Sequence, residues 1–136
     1  MIPKALALEI VTPDKPVVHE DVDEVQLPGF EGAFVVLPGH TPLLALLDPG
    51  ELWYRKAGAK TSLVIDFGLA EVLPDRVTVL VGLAEKPETI VAAKEAEAQA
   101  AAERDMRQAK TLDEAERARV ALVTAQMRQR LAGKKT

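Results

Sequence analysis

Between residues 6 and 81 the apolar positions fall into eight short runs, at 6–11, 22–27, 33–37, 43–47, 52–56, 62–67, 69–73 and 77–81. Leu8/Ile10 and Val77/Val79/Val81 take every second position, the period at which a strand buries one face and exposes the other. Turn residues separate the runs: Pro28-Gly29, Pro38-Gly39, Asp48-Pro49-Gly50, Ala57-Gly58-Ala59 and Pro74-Asp75. Each supplies a fixed φ or a tolerated positive φ where the chain must reverse. Short strands at this spacing predict an all-β sandwich or barrel.

After Glu85 the pattern changes to Ala, Glu, Gln, Lys and Arg, with no Gly or Pro between Thr89 and Ala132, which predicts helix. The boundary falls near Ala84 to Pro87, dividing the chain into 1–86 and 87–136. A first helix is expected from Pro87 or Thr89 to about Ala109. Thr111-Leu112-Asp113-Glu114 has capping-box spacing and opens a second helix, which ends near Leu131 before Gly133. Glu103/Arg107 and Asp113/Arg117 are acid-before-base pairs four residues apart, a spacing that favours helix.

On a helical wheel Ala115, Ala118, Leu122 and Ala125 form one stripe of the second helix, and Val120, Val123, Met127 and Leu131 form another. The alanine stripe lets the first helix approach closely as an antiparallel partner, with little apolar area per residue. A hairpin held so lightly is suited to opening. The second stripe needs a further surface, either in this chain or in another protein; one static packed domain would satisfy both stripes equally well.

Charge separates the same two halves. Residues 1–85 hold six Lys/Arg against thirteen Asp/Glu, and residues 86–136 hold eleven against eight, giving net charges of −7 and +3. The basic half suits an acidic protein surface. Nucleic acid is not expected as a partner: the acidic half repels phosphate, and the basic half has no aromatic residue for base stacking. No apolar run reaches the ~18 residues of a membrane span, and Met1-Ile2-Pro3-Lys4 does not open a signal peptide. A soluble cytosolic chain that meets membrane only through partners is expected.

Catalytic chemistry is scarce. The chain has no cysteine, two histidines (His19, His40) and one serine, Ser62, which sits within a strand run and not in a G-x-S-x-G turn. Neither a P-loop nor a G-x-G-x-x-G fingerprint occurs. The cluster His19-Glu20-Asp21-Val22-Asp23-Glu24 lacks metal-site spacing and reads as a solvated loop entering a strand. His40 reads as a hydrogen-bonding or packing residue of a turn, so no catalytic residue and no metal is assigned.

Several segments, in order and at matching intervals, resemble the epsilon subunit of F-type ATP synthases. They are Leu8-Glu9-Ile10-Val11-Thr12-Pro13, Val22-Asp23-Glu24-Val25, Pro28-Gly29, Glu31-Gly32, Leu37-Pro38-Gly39-His40-Thr41-Pro42-Leu43-Leu44, Pro49-Gly50, Leu69-Ala70-Glu71-Val72 and Pro74-Asp75-Arg76-Val77-Thr78-Val79-Leu80. The resemblance implies an α+β fold, a ten-stranded β-sandwich followed by an antiparallel two-helix hairpin. It implies a non-catalytic rotor-stalk subunit that couples c-ring rotation, driven by protons, to ATP synthesis. Such a subunit lies peripherally at the cytoplasmic face of a bacterial inner membrane, with the gamma subunit, the c-subunit ring and the beta subunit as partners.

The loop 28–34, with Pro28, Gly29, Phe30, Glu31 and Gly32, resembles the family's c-ring-facing loop, and His40, Thr41 and Pro42 fall in the same foot region. The hairpin resembles the family's inhibitory element, and its positive face is assigned to Arg104, Arg107, Arg117 and Arg128, facing an acidic segment of beta. Two departures stand out. Asp66-Phe67-Gly68 replaces a Gly-Gly pair, which puts in question a bend carried by the first glycine. The family's ATP motif, Ile/Leu-Asp-x-x-Arg-Ala, reads here Ile90-Val91-Ala92-Ala93-Lys94-Glu95, where only Ile90 and the charge of Lys94 remain. Lysine does not reproduce the guanidinium fork, so no cofactor and no ATP-dependent change are expected. The alternative function is a free-standing ATP-binding sensor with the hairpin as its lid.

Overall fold

The computed structural model describes residues 2–87 and 92–132. Among the described residues there are ten strands: β1 (Leu6–Val11), β2 (Pro16–Val22), β3 (Glu24–Gly29), β4 (Gly32–Val36), β5 (Leu43–Leu47), β6 (Gly50–Lys56), β7 (Ala59–Ile65), β8 (Gly68–Leu73), β9 (Arg76–Val81) and β10 (Ala84–Glu85). They hydrogen-bond in the order β10-β7-β6-β3-β5-β8-β9-β1-β2, with β4 on β3. β3 meets β5 only at Gly29↔Leu47, and this corner joins two five-stranded halves. β1 runs parallel to β9, while β1/β2, β3/β4, β3/β5, β3/β6, β5/β8, β6/β7 and β8/β9 are antiparallel pairs.

Alternation builds the core. Leu6, Leu8 and Ile10 of β1, Val25 and Leu27 of β3, Leu52 and Tyr54 of β6, and Val77, Val79 and Val81 of β9 are all buried in one cluster. Their intervening neighbours face outward, so each strand has one buried face.

Two strands depart from the sequence expectation. The apolar run at 22–27 is broken at Asp23, whose N–H donates to Arg55 O (2.8 Å) and whose carboxylate accepts from Ala57 N (2.9 Å). The polar stretch read as a loop, with His19, Glu20 and Asp21, belongs to β2. β2 closes the sheet order beside β1, so its outward residues face water and leave little apolar signal. The polar cluster is thereby accounted for within the sheet: His19 opposes Glu9, and Glu24 pairs with Arg55 at 2.9 Å.

Ala57 and Gly58 form the two-residue turn between β6 and β7, with φ of 51° and 82°. Ala57 is the one described non-glycine residue at positive φ. A turn with both central residues left-handed favours Asn-Gly. Ala57→Asn keeps the N–H that Asp23 accepts and should stabilise the sandwich by about 0.5–1 kcal/mol. The denaturant midpoint should rise with an unchanged slope.

The chain's single tyrosine, Tyr54, is 8% exposed. Burial pushes its hydroxyl above the ordinary 10.0, and the Glu20 carboxylate adds to the shift, partly offset by a hydrogen bond with Thr61. The folded state therefore holds this proton more tightly than the unfolded state. Stability that is complete below pH 10 should decline as pH rises through the folded pKa. Tyrosinate absorbance of the native protein should appear above pH 10, and Tyr54→Phe should flatten the stability decline.

A compact helical unit follows a boundary between Ala84 and Glu85. Its helices are α1 (Ala92–Gln108) and α2 (Leu112–Ala132). The ends expected near Ala109 and Leu131 agree with α1 and α2 to within a residue, Pro87 is not part of α1, and the alternative start at Thr89 and the stop residue Gly133 lie outside the described residues. The capping box forms: Glu114 N–H donates to Thr111 Oγ1 (3.1 Å), while Glu114 Oε2 accepts from Lys110 N–H (2.9 Å). Asp113 and Arg117 pair as expected, whereas Glu103 accepts from Gln99 Nε2 (3.0 Å). Ala102 of α1 and Ala118 and Ala125 of α2 are buried, and Met127 of the second stripe is also buried.

Candidate functional site

The corner of the sandwich is built by close backbone approach. Besides the Gly29↔Leu47 pair, Phe30 N–H donates to Leu46 O and Asp48 N–H donates to Pro28 O, both at 2.9 Å. A Cβ on Gly29 would lie 2.7 Å from Gly32 O, and one on Gly50 would overlap the Pro28 ring. Glycine at these two positions lets the β3–β4 hairpin tip and the start of β6 meet at one end of β5.

The surface so formed is apolar. A groove of about 350 Å³ is lined by the tip residues Gly29, Phe30, Glu31 and Gly32, by Phe34 of β4, and by Leu43, Leu44, Ala45 and Leu46 of β5. Phe30, Leu44 and Leu46 are 65%, 66% and 65% exposed. β5 is therefore hydrophobic throughout yet fully buried only at Leu47. The apolar character continues outward across the sheet, since register aligns Leu46 with Leu69 and Leu69 with Leu80, and Leu80 is exposed between buried Val79 and Val81. A contiguous exposed surface of this kind marks an interaction face, unlike apolar residues scattered singly.

The residues expected at this site divide. Pro28, Gly29, Phe30, Glu31 and Gly32 shape the corner. His40, Thr41 and Pro42 lie outside the groove lining and lead into β5. His40 is held by its own turn: its Nδ1 lies 2.7 Å from Thr41 O and so carries the proton, and its N–H donates to Leu37 O. His40 therefore acts by fixing the approach to β5. Phe34 closes the loop 28–34 expected to face the c ring, whereas Leu46 was not singled out from sequence, although a five-residue run without alternation is the signal that both faces of a strand are to be covered.

The four hairpin arginines do not share one exposed face. Arg104 and Arg107 are exposed on α1, and Arg117 is exposed on α2 beside Asp113. Arg128, on the same arc of α2 as Arg117, is only 21% exposed and pairs with Glu85 and Glu95. Of the altered ATP motif, Ile90 lies outside the described residues and Lys94 is exposed near the start of α1. No described helix is long and apolar enough to cross a membrane.

Residues 5–87 match the family described as ATP synthase, Delta/Epsilon chain, beta-sandwich domain. The chain is 41% identical to the ATP synthase epsilon chain of Herpetosiphon aurantiacus, over 93% of each protein. It is 44% identical to that of Nitratidesulfovibrio vulgaris, over 96% of this chain and 97% of the relative. Among solved structures, a chain of the Euglena gracilis mitochondrial ATP synthase assembly containing OSCP, F1 and c-ring is similar, with TM-score 0.82 and 26% identity over 93% of this chain and 80% of that one. A chain of the Tetrahymena thermophila mitochondrial central stalk and c-ring shares the fold, with TM-score 0.71 at 16% identity over 96% and 99%.

Proposed function

The chain belongs to the ATP synthase epsilon-chain family, and we propose that in the synthase it is a non-catalytic central-stalk subunit that seats its sandwich corner on the rotor. The apolar groove formed by Phe30, Phe34, Leu44 and Leu46 carries this reading. Three side chains about two-thirds exposed contribute roughly 1.5–3 kcal/mol each when a partner buries them, enough to hold a subunit in place during rotation. The partners at this surface are the gamma subunit and the c ring, and the chain works at the cytoplasmic face of a bacterial membrane. Catalysis resides in other subunits. Torque passes through the sandwich because the corner is tied into both halves of the sheet by backbone hydrogen bonds.

The hairpin restrains ATP hydrolysis by presenting Arg104, Arg107 and Arg117 to an acidic surface of the beta subunit. Each exposed pair is worth only ~0.2–1 kcal/mol, so the restraint depends on several pairs and weakens with salt. Mixing the native chain with an epsilon-depleted synthase tests the seat. Stoichiometric recovery with gamma and the c ring is expected, and failure to join them under conditions where a relative's epsilon chain does would overturn it. ATP titration of the isolated chain should produce no conformational change; tight binding together with no affinity for gamma would favour the sensor alternative.

A further inference from the structure

The sheet order ends at β10 and at β2, and β4 branches from β3, pairing with it alone among the described residues. A free strand edge offers its backbone N–H and C=O groups to any other chain, so edges are ordinarily guarded by shortness, charge, proline or a bulge. β10 is two residues long. β2 opens at Pro16, exposes His19, Glu20 and Asp21, and shifts register against β1 between Ile10 and Val11. β4 carries none of the last three guards: Gly32-Ala33-Phe34-Val35-Val36 has neither charge nor proline, and its register holds without a shift from Val25↔Val36 to Gly29↔Gly32. Val35 is 41% exposed.

The ladder leaves particular backbone groups free. Pro28 O accepts from the N–H of Asp48, just past β5, so Pro28 turns away from β4 and Pro28↔Ala33 is not a hydrogen-bonded pair. Such pairs alternate with hydrogen-bonded ones along an antiparallel ladder, and Gln26↔Val35 is therefore of the same kind. Gly32, Phe34 and Val36 bond to β3. The N–H and C=O groups of Ala33 and Val35 point out of the free edge.

We infer that this edge takes an extended segment of the rotor partner as an added strand, which rests on the rotor seat proposed above and specifies how the partner is gripped. Backbone pairing of this kind supplies affinity, and the side chains beside it supply selectivity. Phe34 lines the groove, so the edge continues directly from the seat. Along the added strand, side chains would alternate beside Phe34 and beside Val35, a setting for apolar, β-branched residues without proline at the bonded positions. A second copy of this chain is a poorer occupant. Five residues of edge fall well short of the ~800 Å² per partner of a stable interface, whereas a partner already held at the corner presents its segment at high effective concentration.

Amide exchange reads the edge directly. In the free chain the Ala33 and Val35 amides should exchange rapidly, and in a complex with gamma and the c ring they should slow by on the order of a hundredfold. Val35→Pro deletes an outward N–H and spares the bonds to β3, and it should weaken association with that subcomplex roughly tenfold to a hundredfold. Val35→Thr keeps the N–H and the branched shape and should bind like the native chain. Amides that stay fast in a complex shown to contain the chain would overturn the added strand and leave the seat standing. A folded Val35→Pro chain of native affinity would do the same, as would equal losses in the two variants, which would assign the effect to side-chain packing. Slow amides in the free chain that quicken on dilution would give the edge to a second copy and overturn the rotor segment. Failure of the native chain to join gamma and the c ring would overturn seat and strand together. If Val35→Pro does not fold, exchange in the native complex decides the matter without it.

Discussion

Gly68→Ala should destabilise the sandwich by about 3 kcal/mol, lowering its Tm by roughly 10–20 °C. Gly68 opens β8 and pairs with Leu47 on one side and Val81 on the other. A Cβ there would overlap Leu80 O and lie 2.9 Å from Val81 Cα, so the obstacle is backbone and has no rotamer by which to move aside. β8 and β9 would have to part, and the strain would reach the Gly29↔Leu47 corner through Leu47. Gly82→Ala is the control, because nothing lies within 4 Å of its Cβ position, and it should change Tm little. Equal Tm values for the two variants would refute the close approach at Gly68.

This glycine also resolves the departure from the family's Gly-Gly pair. Phe67 replaces the first glycine, yet its φ is not positive. The bend is held by hydrogen bonds instead: Asp66 Oδ1 accepts from Phe67 N–H at 2.7 Å, Asp66 N–H donates to Leu83 O, and Gly82 N–H donates to Phe67 O. The second glycine is the one that the packing requires.

Leu44→Glu with Leu46→Glu should leave the fold intact and weaken association with the rotor by about a thousandfold. Both side chains already face water, so their replacement should alter stability by no more than ~0.5 kcal/mol. Losing the burial of two leucines at ~2 kcal/mol each accounts for the thousandfold, and desolvating two carboxylates adds to it. Titration against a gamma and c-ring subcomplex measures the loss, with Tm as the check on folding. A folded double variant of native affinity would place the seat elsewhere on the sandwich.

Much of this was legible in the sequence because periodicity reports burial directly. β1 and β9 alternate and were read correctly, and the change to alanine and charge after Glu85 announced the hairpin. β2 was obscured because an edge strand with exposed His19, Glu20 and Asp21 has little apolar face to show. β5 was seen as a strand but not as an exposed one, since a continuous apolar run looks alike whether its second face meets the chain's own core or a partner. Arg128 was placed on the correct arc of α2, but a wheel carries no information about a carboxylate 43 residues away. Contacts between distant segments decide which arginines remain exposed.

Epsilon-depleted synthase rebuilt in vesicles provides the most direct measurement of the corner's role, read as ATP made per proton gradient imposed. The native chain should restore gradient-driven synthesis, and the Leu44→Glu/Leu46→Glu chain, folded and present in excess, should not. Equal restoration by the two chains, with the variant shown to be incorporated, would contradict a rotor seat at the apolar corner.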